Sequence, residues 1–242
     1  MRKAGVLAVF VKAPVAGRVK TRLAAEVGVH NAAEIYRGLG RRVVAACVGR
    51  GYDTVVWFAP LGARRAVRHW LKGLRVAAFR AQGSGVLGAR LAAVFCQHFR
   101  EGARRVILIG SDCPGVDSRL VSRALAALDK HELVVGPARD GGYYLVGLRA
   151  PAPQLFRGIA WSTDAVLEQT LARARQLGLS AALLPTLRDV DTASDAHAIG
   201  ILPQFYGSIP PAFGGHHAGK KHFRGEPRST SSNISMNFIN HR

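Results

Sequence analysis

The sequence predicts an α/β fold, a mostly parallel sheet with helices on both faces. Three observations carry this expectation. Short apolar runs alternate with stretches of helical period over the first 200 residues. The strongest run, RVILI at 105–109, stops at Gly110. Composition is that of an ordinary globular chain, 48% hydrophobic and 20% charged over 242 residues, so a core can form and wholesale disorder is excluded.

Taken in order, residues 5–11 read as a buried first strand. Residues 21–48 read as helix, broken near Gly28 and again near Gly38–Gly40, because glycine is a poor helix former. A strand rich in Val and aromatics follows at 54–59, then a short helix at 63–71. Next come a strand at 75–79, a helix at 87–100 and the strand at 105–109. Asp117 or Ser118 can cap a helix that runs to Leu128. Strands are expected at 133–135 and 143–147, a helix at 163–176 ending at Gly178, and a last strand at 181–184. Thr192 or Ser194 can start a final helix. In such a sheet ligands bind beyond the carboxyl ends of the strands, which directs attention to the loops after Val11, Ile109 and Val135.

The domain spans residues 1–202. Residues 203–242 are rich in Pro, Gly, Ser, Asn and His without sustained period, and are expected to form a disordered tail. The pair His216–His217 lies there and carries no metal-site pattern of its own. No apolar run approaches the ~20 residues of a membrane span. Three widely spaced cysteines, Cys47, Cys96 and Cys113, suggest a reducing cytoplasm and no zinc cage. The net charge of +19 attracts phosphates, and all but five of the 34 Lys and Arg precede residue 203, so the charge belongs to the domain. These residues are scattered, with no basic run of five and no interleaved aromatics, which disfavours nucleic acid as the partner.

Four motifs could carry chemistry. KAPVAGRVKTRL (12–23) follows the first strand; Pro14 and Gly17 shape a loop, and Lys20 and Arg22 sit at a helix start that would favour a phosphate. The loop is not a Walker loop, and no GxGxxG follows this first strand. IGSDCPGV (109–116) places Asp112 two residues past the strongest strand, where a carboxylate can hold Mg²⁺ or Mn²⁺; an Asp turn is the plain alternative. GPARDGGYYLVGL (136–148) is either a hairpin turn or a close substrate approach at Gly141 and Gly142, with Asp140 as acceptor or base and Tyr143 or Tyr144 lining the pocket. DVDTASD (189–195) gathers acids that form an N-cap cluster or add a metal ligand. WSTD (161–164) is a helix cap or a substrate contact through Trp161, Ser162 and Thr163.

In this order, together with QGSGVLGARL (82–91) and LFRGIAWST (155–163), the motifs resemble the bacterial glycosyltransferases called selenodomain-associated transferase 1, or arsenosugar-biosynthesis-type. The resemblance covers roughly residues 3–200. That family is similar to nucleotide-diphosphosugar transferases with a Rossmann-like GT-A sandwich; molybdenum-cofactor and phospholactate guanylyltransferases share the architecture. The resemblance implies that Lys12, Pro14, Gly17, Lys20, Arg22 and Gln82 contact the nucleotide and its phosphates. It implies that Asp112 and Asp191 hold Mg²⁺ or Mn²⁺, although Asp112 stands alone in SDCP rather than in DxD. The segment Gln82–Gly85 departs from relatives, which carry an acidic residue before Leu-Gly. The implied reaction uses a nucleotide-sugar or nucleoside triphosphate donor and a small-molecule acceptor. It is glycosyl transfer or, from the same pocket, nucleotidyl transfer with release of pyrophosphate.

Overall fold

The computed structural model describes residues 5–201, so the expected tail at 203–242 lies outside the described residues. Seven strands form one sheet: β1 Val6–Lys12, β2 Asp53–Ala59, β3 Ala78–Ala81, β4 Val106–Ile109, β5 Leu133–Pro137, β6 Tyr143–Leu148 and β7 Ala181–Leu183, in the spatial order β3-β2-β1-β4-β6-β5-β7. All neighbouring pairs are parallel except those of β6, which runs antiparallel to both β4 and β5. The reversal follows from the short Ala138–Gly142 connection: a few residues can close a hairpin, whereas a parallel neighbour needs a long crossover.

β1 lies at the centre and its apolar residues are buried, as a strand covered on both faces should be. Its alternate side chains feed two cores. Leu7, Val9 and Val11 pack with α1 (Thr21–Val27), α2 (Val29–Cys47), α3 (Arg64–Trp70) and α5 (Ser118–Ala127). Val6, Ala8 and Phe10 pack with α4 (Leu87–Arg100), α6 (Val166–Gln176) and the 3-10 turn Pro153–Phe156. Each such buried Val, Leu or Phe contributes about 1.5–3 kcal/mol. Asp117 caps α5, accepting from the Leu120 N–H at 2.8 Å. α7 (Ala193–Ala198) begins at Thr192, whose hydroxyl and the Asp195 carboxylate form a reciprocal capping box.

Three expectations shift. β3 begins at Ala78 rather than near Arg75, because this edge strand joins β2 only from the bond Ala77 N–H to Thr54 O onward. α6 starts at Val166, three residues later than expected. The helix break at Gly28 is present, but α2 runs straight through Gly38 and Gly40. Gly38 is exposed with nothing near its missing Cβ, whereas a Cβ on Gly40 would meet the Trp70 ring at 2.8 Å. Gly40 is therefore a packing residue. It admits the end of α3, where the Trp70 indole donates to Arg37 O at 3.0 Å.

Gly38→Ala should therefore stabilise the protein by about 0.5–1 kcal/mol, the helix-propensity difference. Gly40→Ala should destabilise it, because the indole must shift. Thermal melting of the two variants beside the parent checks both signs.

Candidate active site

The chain builds outward from β1 to β2 and β3, then returns to place β4 on the other side of β1. At such a reversal the loops beyond two adjacent strands part and leave a crevice at their carboxyl ends. Here the loop after β1 (13–20) faces the loop after β4 (110–117). One buried phenol fastens them: Tyr36 accepts from the Lys12 backbone N–H at 2.9 Å and shares a 3.0 Å hydrogen bond with Ser111 Oγ. A third segment closes the crevice, since the Val190 N–H donates to Asp112 O at 3.1 Å. The β5–β6 turn, carrying Asp140, lies at the same edge.

The centre of the crevice is an ion cluster. Lys20 Nζ lies 3.2 Å from Asp112 Oδ2 and 3.1 Å from Asp191 Oδ1, and the Lys20 side chain is only 2% exposed. Its backbone is left-handed (φ 48°), one of two non-glycine residues so held among the described residues; Ser162 is the other. Such a conformation costs of order 1 kcal/mol and persists only where the surroundings enforce it. Burial alone would lower the Lys20 pKa, but Asp112, Asp191 and Asp189 outweigh it and hold the ammonium above its usual range. Lys20 is thus firmly charged. The sequence reading treats it as an exposed basic residue at a helix start; the structure instead buries it between two acids. Removing one partner of such a buried pair costs about 3–5 kcal/mol. The helix that follows is also short: α1 has seven residues before Gly28, so side-chain charge rather than a helix dipole dominates this edge.

Around this centre, Arg22 Nη1 lies 4.0 Å from Asp191 Oδ2 and stays partly exposed. Lys12, half-buried, has its pKa lowered by burial, with Arg90 adding to the effect and Asp112 opposing it. Burial raises the Asp112 pKa against the pull of Lys20. Asp189 is pushed up to about 7 by burial and by Asp112. Asp112 Oδ1 and Asp189 Oδ1 are buried without a hydrogen-bond partner. The unpartnered Asp112 oxygen is a hard donor that suits Mg²⁺ or Mn²⁺, the cation the sequence reading expects, while the Asp191 oxygens face Lys20 and Arg22. Among the described residues no cluster of three or more His, Cys, Asp or Glu has metal-binding geometry.

Asp140 accepts the Gly142 N–H on Oδ1 at 3.0 Å, so the hairpin-turn reading of this motif holds. The carboxyl is half-buried, and burial raises its pKa, with Asp191 adding to the shift and Arg22 opposing it. Gly141 is required here: φ is +85°, and a Cβ would strike the Asp164 carbonyl at 2.1 Å. Tyr143, expected to line the pocket, is buried and packs edge-on against Trp161, ring centroids 6.4 Å apart. Thr163 Oγ1 donates to Ala160 O at 2.7 Å and accepts the Ala165 N–H, fixing the approach to α6. Pro14 is half-buried, and Gly17 is exposed at positive φ.

Gln82 has another task than contact with phosphate. Its amide donates to Val11 O and Trp57 O at 3.2 and 2.8 Å, and its Oε1 accepts from Arg90 Nη1 at 3.1 Å. Gln82 therefore ties β1 and β2 to α4 and presents Arg90. The sequence reading did not single out Arg90 or Tyr36; it placed Asp195 in an N-cap cluster, which the structure shows. Asp195 Oδ2 accepts from the backbone N–H of both Asp191 and Thr192, which orients Asp191. Its position three residues after Thr192 was the available signal. Beside Trp161 a cavity of about 550 Å³ opens between the first turns of α4 and the 153–161 segment, lined by Val86, Ala89, Ala92, Phe156, Arg157 and Trp161. No helix among the described residues is long and apolar enough to cross a membrane.

A family model described as "Uncharacterized protein conserved in bacteria (DUF2064)" matches residues 43–163. No curated protein matches the chain. A solved structure from Desulfovibrio desulfuricans G20, provisionally named a nucleotide-diphospho-sugar transferase, is 34% identical; the match spans 82% of this chain and 87% of that one at a TM-score of 0.77. The inositol-1-phosphate CTP transferase of T. maritima is 14% identical, with 87% of this chain and 100% of that one covered at a TM-score of 0.50. The 4-diphosphocytidyl-2C-methyl-D-erythritol synthase of Anaerococcus prevotii DSM 20548 is 11% identical, with coverage of 81% and 94% and a TM-score of 0.51. These last two share the fold. The α/β architecture expected from the sequence is thus the one seen in the nucleotide-diphospho-sugar transferase neighbour, and the chain belongs to the DUF2064 family.

Proposed function

We propose that this enzyme is a metal-dependent glycosyltransferase of the selenodomain-associated, arsenosugar-biosynthesis type. It moves a sugar from a nucleoside-diphosphate sugar to a small-molecule acceptor. One observation carries the reading: Lys20 and Arg22 meet Asp112 and Asp191 in the crevice where the strand order reverses. A site that gathers two cations and two hard carboxylates is chemically suited to a diphosphate with its metal. The provisional name of the Desulfovibrio relative supports the same chemistry. The three free cysteines fit a cytoplasmic enzyme.

In this reading Lys12, Lys20 and Arg22 bind the donor diphosphate and take up its charge as it leaves. Mg²⁺ or Mn²⁺ held by Asp112 and Asp191 supplies further neutralisation of the leaving group. Gly141 and Gly142 keep the turn close to the sugar, and Asp140 accepts the proton of the attacking hydroxyl. Its raised pKa suits a base that must hold a proton after transfer. The acceptor lies in the cavity beside Trp161, with Ser162 and Thr163 next along the chain as further substrate contacts. The aliphatic wall favours an apolar body, and Arg157 favours an anionic substituent.

Incubation with nucleotide sugars and with nucleoside triphosphates, with and without Mn²⁺ or Mg²⁺, should release nucleoside diphosphate only from the sugars and only with metal. Pyrophosphate release from a triphosphate would assign nucleotidyl transfer instead. Arg22→Ala should weaken donor binding about tenfold, the loss of one charge-assisted contact of ~1.5 kcal/mol, while exposed Arg42→Ala changes it little. Asp140→Asn preserves the acceptor for the Gly142 N–H. It should lower kcat by roughly 10²–10⁴ with donor affinity nearly unchanged. An equal fall in donor affinity would remove Asp140 from the chemistry.

A further inference from the structure

The charge balance of the crevice points to a role for Lys20 beyond phosphate contact; the inference rests on the reading of Asp112 and Asp191 as metal ligands. We propose that Lys20 is a displaceable counter-ion. Its ammonium holds the position between the two carboxylates in the free protein, so a divalent cation gains them only when an anionic ligand draws the ammonium away. Metal binding and nucleotide binding are thereby coupled.

The argument is geometric. One Nζ lies within 3.2 Å of an oxygen on each acid, in a side chain almost wholly withdrawn from water. A divalent ion bridging Asp112 and Asp191 would seek the same oxygens. Ammonium and metal side by side would place three positive charges in a space of low dielectric. Lys20 is built to leave: four rotatable bonds carry the charge, while the left-handed backbone and the bond from the Ala24 N–H to Lys20 O anchor its root. The orphaned Asp112 Oδ1 shows that the ammonium leaves part of the site's acceptor capacity unused. A diphosphate offers Lys20 several anionic oxygens in exchange, and the vacated carboxylates then suit the metal. By linkage, whatever factor the nucleotide adds to metal affinity the metal adds to nucleotide affinity.

The test is Mn²⁺ binding, read from the electron paramagnetic resonance of free Mn²⁺, with UDP and GDP as nucleotide probes and nucleotide-only solutions subtracted. The intact protein alone should bind Mn²⁺ weakly. Either nucleotide should tighten it at least tenfold. Lys20→Met should bind Mn²⁺ at least tenfold more tightly than the intact protein without nucleotide, and gain little more when nucleotide is added. Lys20→Gln serves the same purpose if the Met variant does not fold. Equal Mn²⁺ affinity of variant and intact protein overturns the proposal, as does an intact protein whose Mn²⁺ affinity ignores a bound nucleotide. Failure of UDP, GDP and other nucleotides to bind under any metal condition would instead overturn the transferase reading on which the proposal rests.

Discussion

A buried ammonium between a buried and a half-buried carboxylate is the constraint around which this protein is arranged. Removing such charges from water costs several kcal/mol per ion, and their attraction offsets this only when the geometry is held. The structure holds it from three directions. A left-handed backbone aims Lys20 inward, the Val190–Asp112 backbone bond sets Asp112, and the capping box of Asp195 and Thr192 sets Asp191. Three segments far apart in sequence therefore meet at one point. The Tyr36 phenol clamps the same loops from beneath. Stability and function share these contacts, so the residues best placed to bind a donor are also expensive to remove.

The sheet explains why the remaining groups arrive at the same edge. Because β6 returns as a hairpin, the Asp140 turn sits at the carboxyl end of β5, level with the ends of β1 and β4. β6 then exits at the opposite edge, and the chain must climb back through residues 149–165 before α6. That climb places the 3-10 turn and Trp161 against α4 and leaves the cavity between them. Gly88 allows the close approach, since a Cβ there would strike Phe156 O at 2.5 Å and the Trp161 indole nitrogen at 2.8 Å.

Much of this was legible from the sequence because it depends on local pattern. Apolar runs mark β1, β2 and β4, and an apolar helical period marks α4 with both ends as observed. Lys20, Arg22, Asp112 and Asp191 were picked from loops at strand ends and prove to be neighbours. What depends on distant partners was hidden. The burial of Lys20 reflects acids 92 and 171 positions away. Gln82 was expected from the resemblance to contact the nucleotide, yet its amide is committed to β1, β2 and Arg90. Gly40 read as a helix break, but it is a seat for Trp70, which no local window reveals. The direction of β6 was available in principle, since the Asp-Gly-Gly turn is a hairpin signal.

The central claim is that the crevice between β1 and β4 binds the diphosphate of a nucleotide through Lys20 and Arg22, with a metal on Asp112 and Asp191. A crystal structure of the protein with Mn²⁺ and a nucleoside diphosphate, recorded with Mn anomalous signal, tests it most directly. The account predicts an anomalous peak in contact with Asp112 and Asp191, diphosphate density within hydrogen-bond reach of Lys20 and Arg22, and the Lys20 ammonium drawn away from the two carboxylates. Nucleotide density elsewhere on the protein, or a Mn²⁺ peak away from both aspartates, would contradict it.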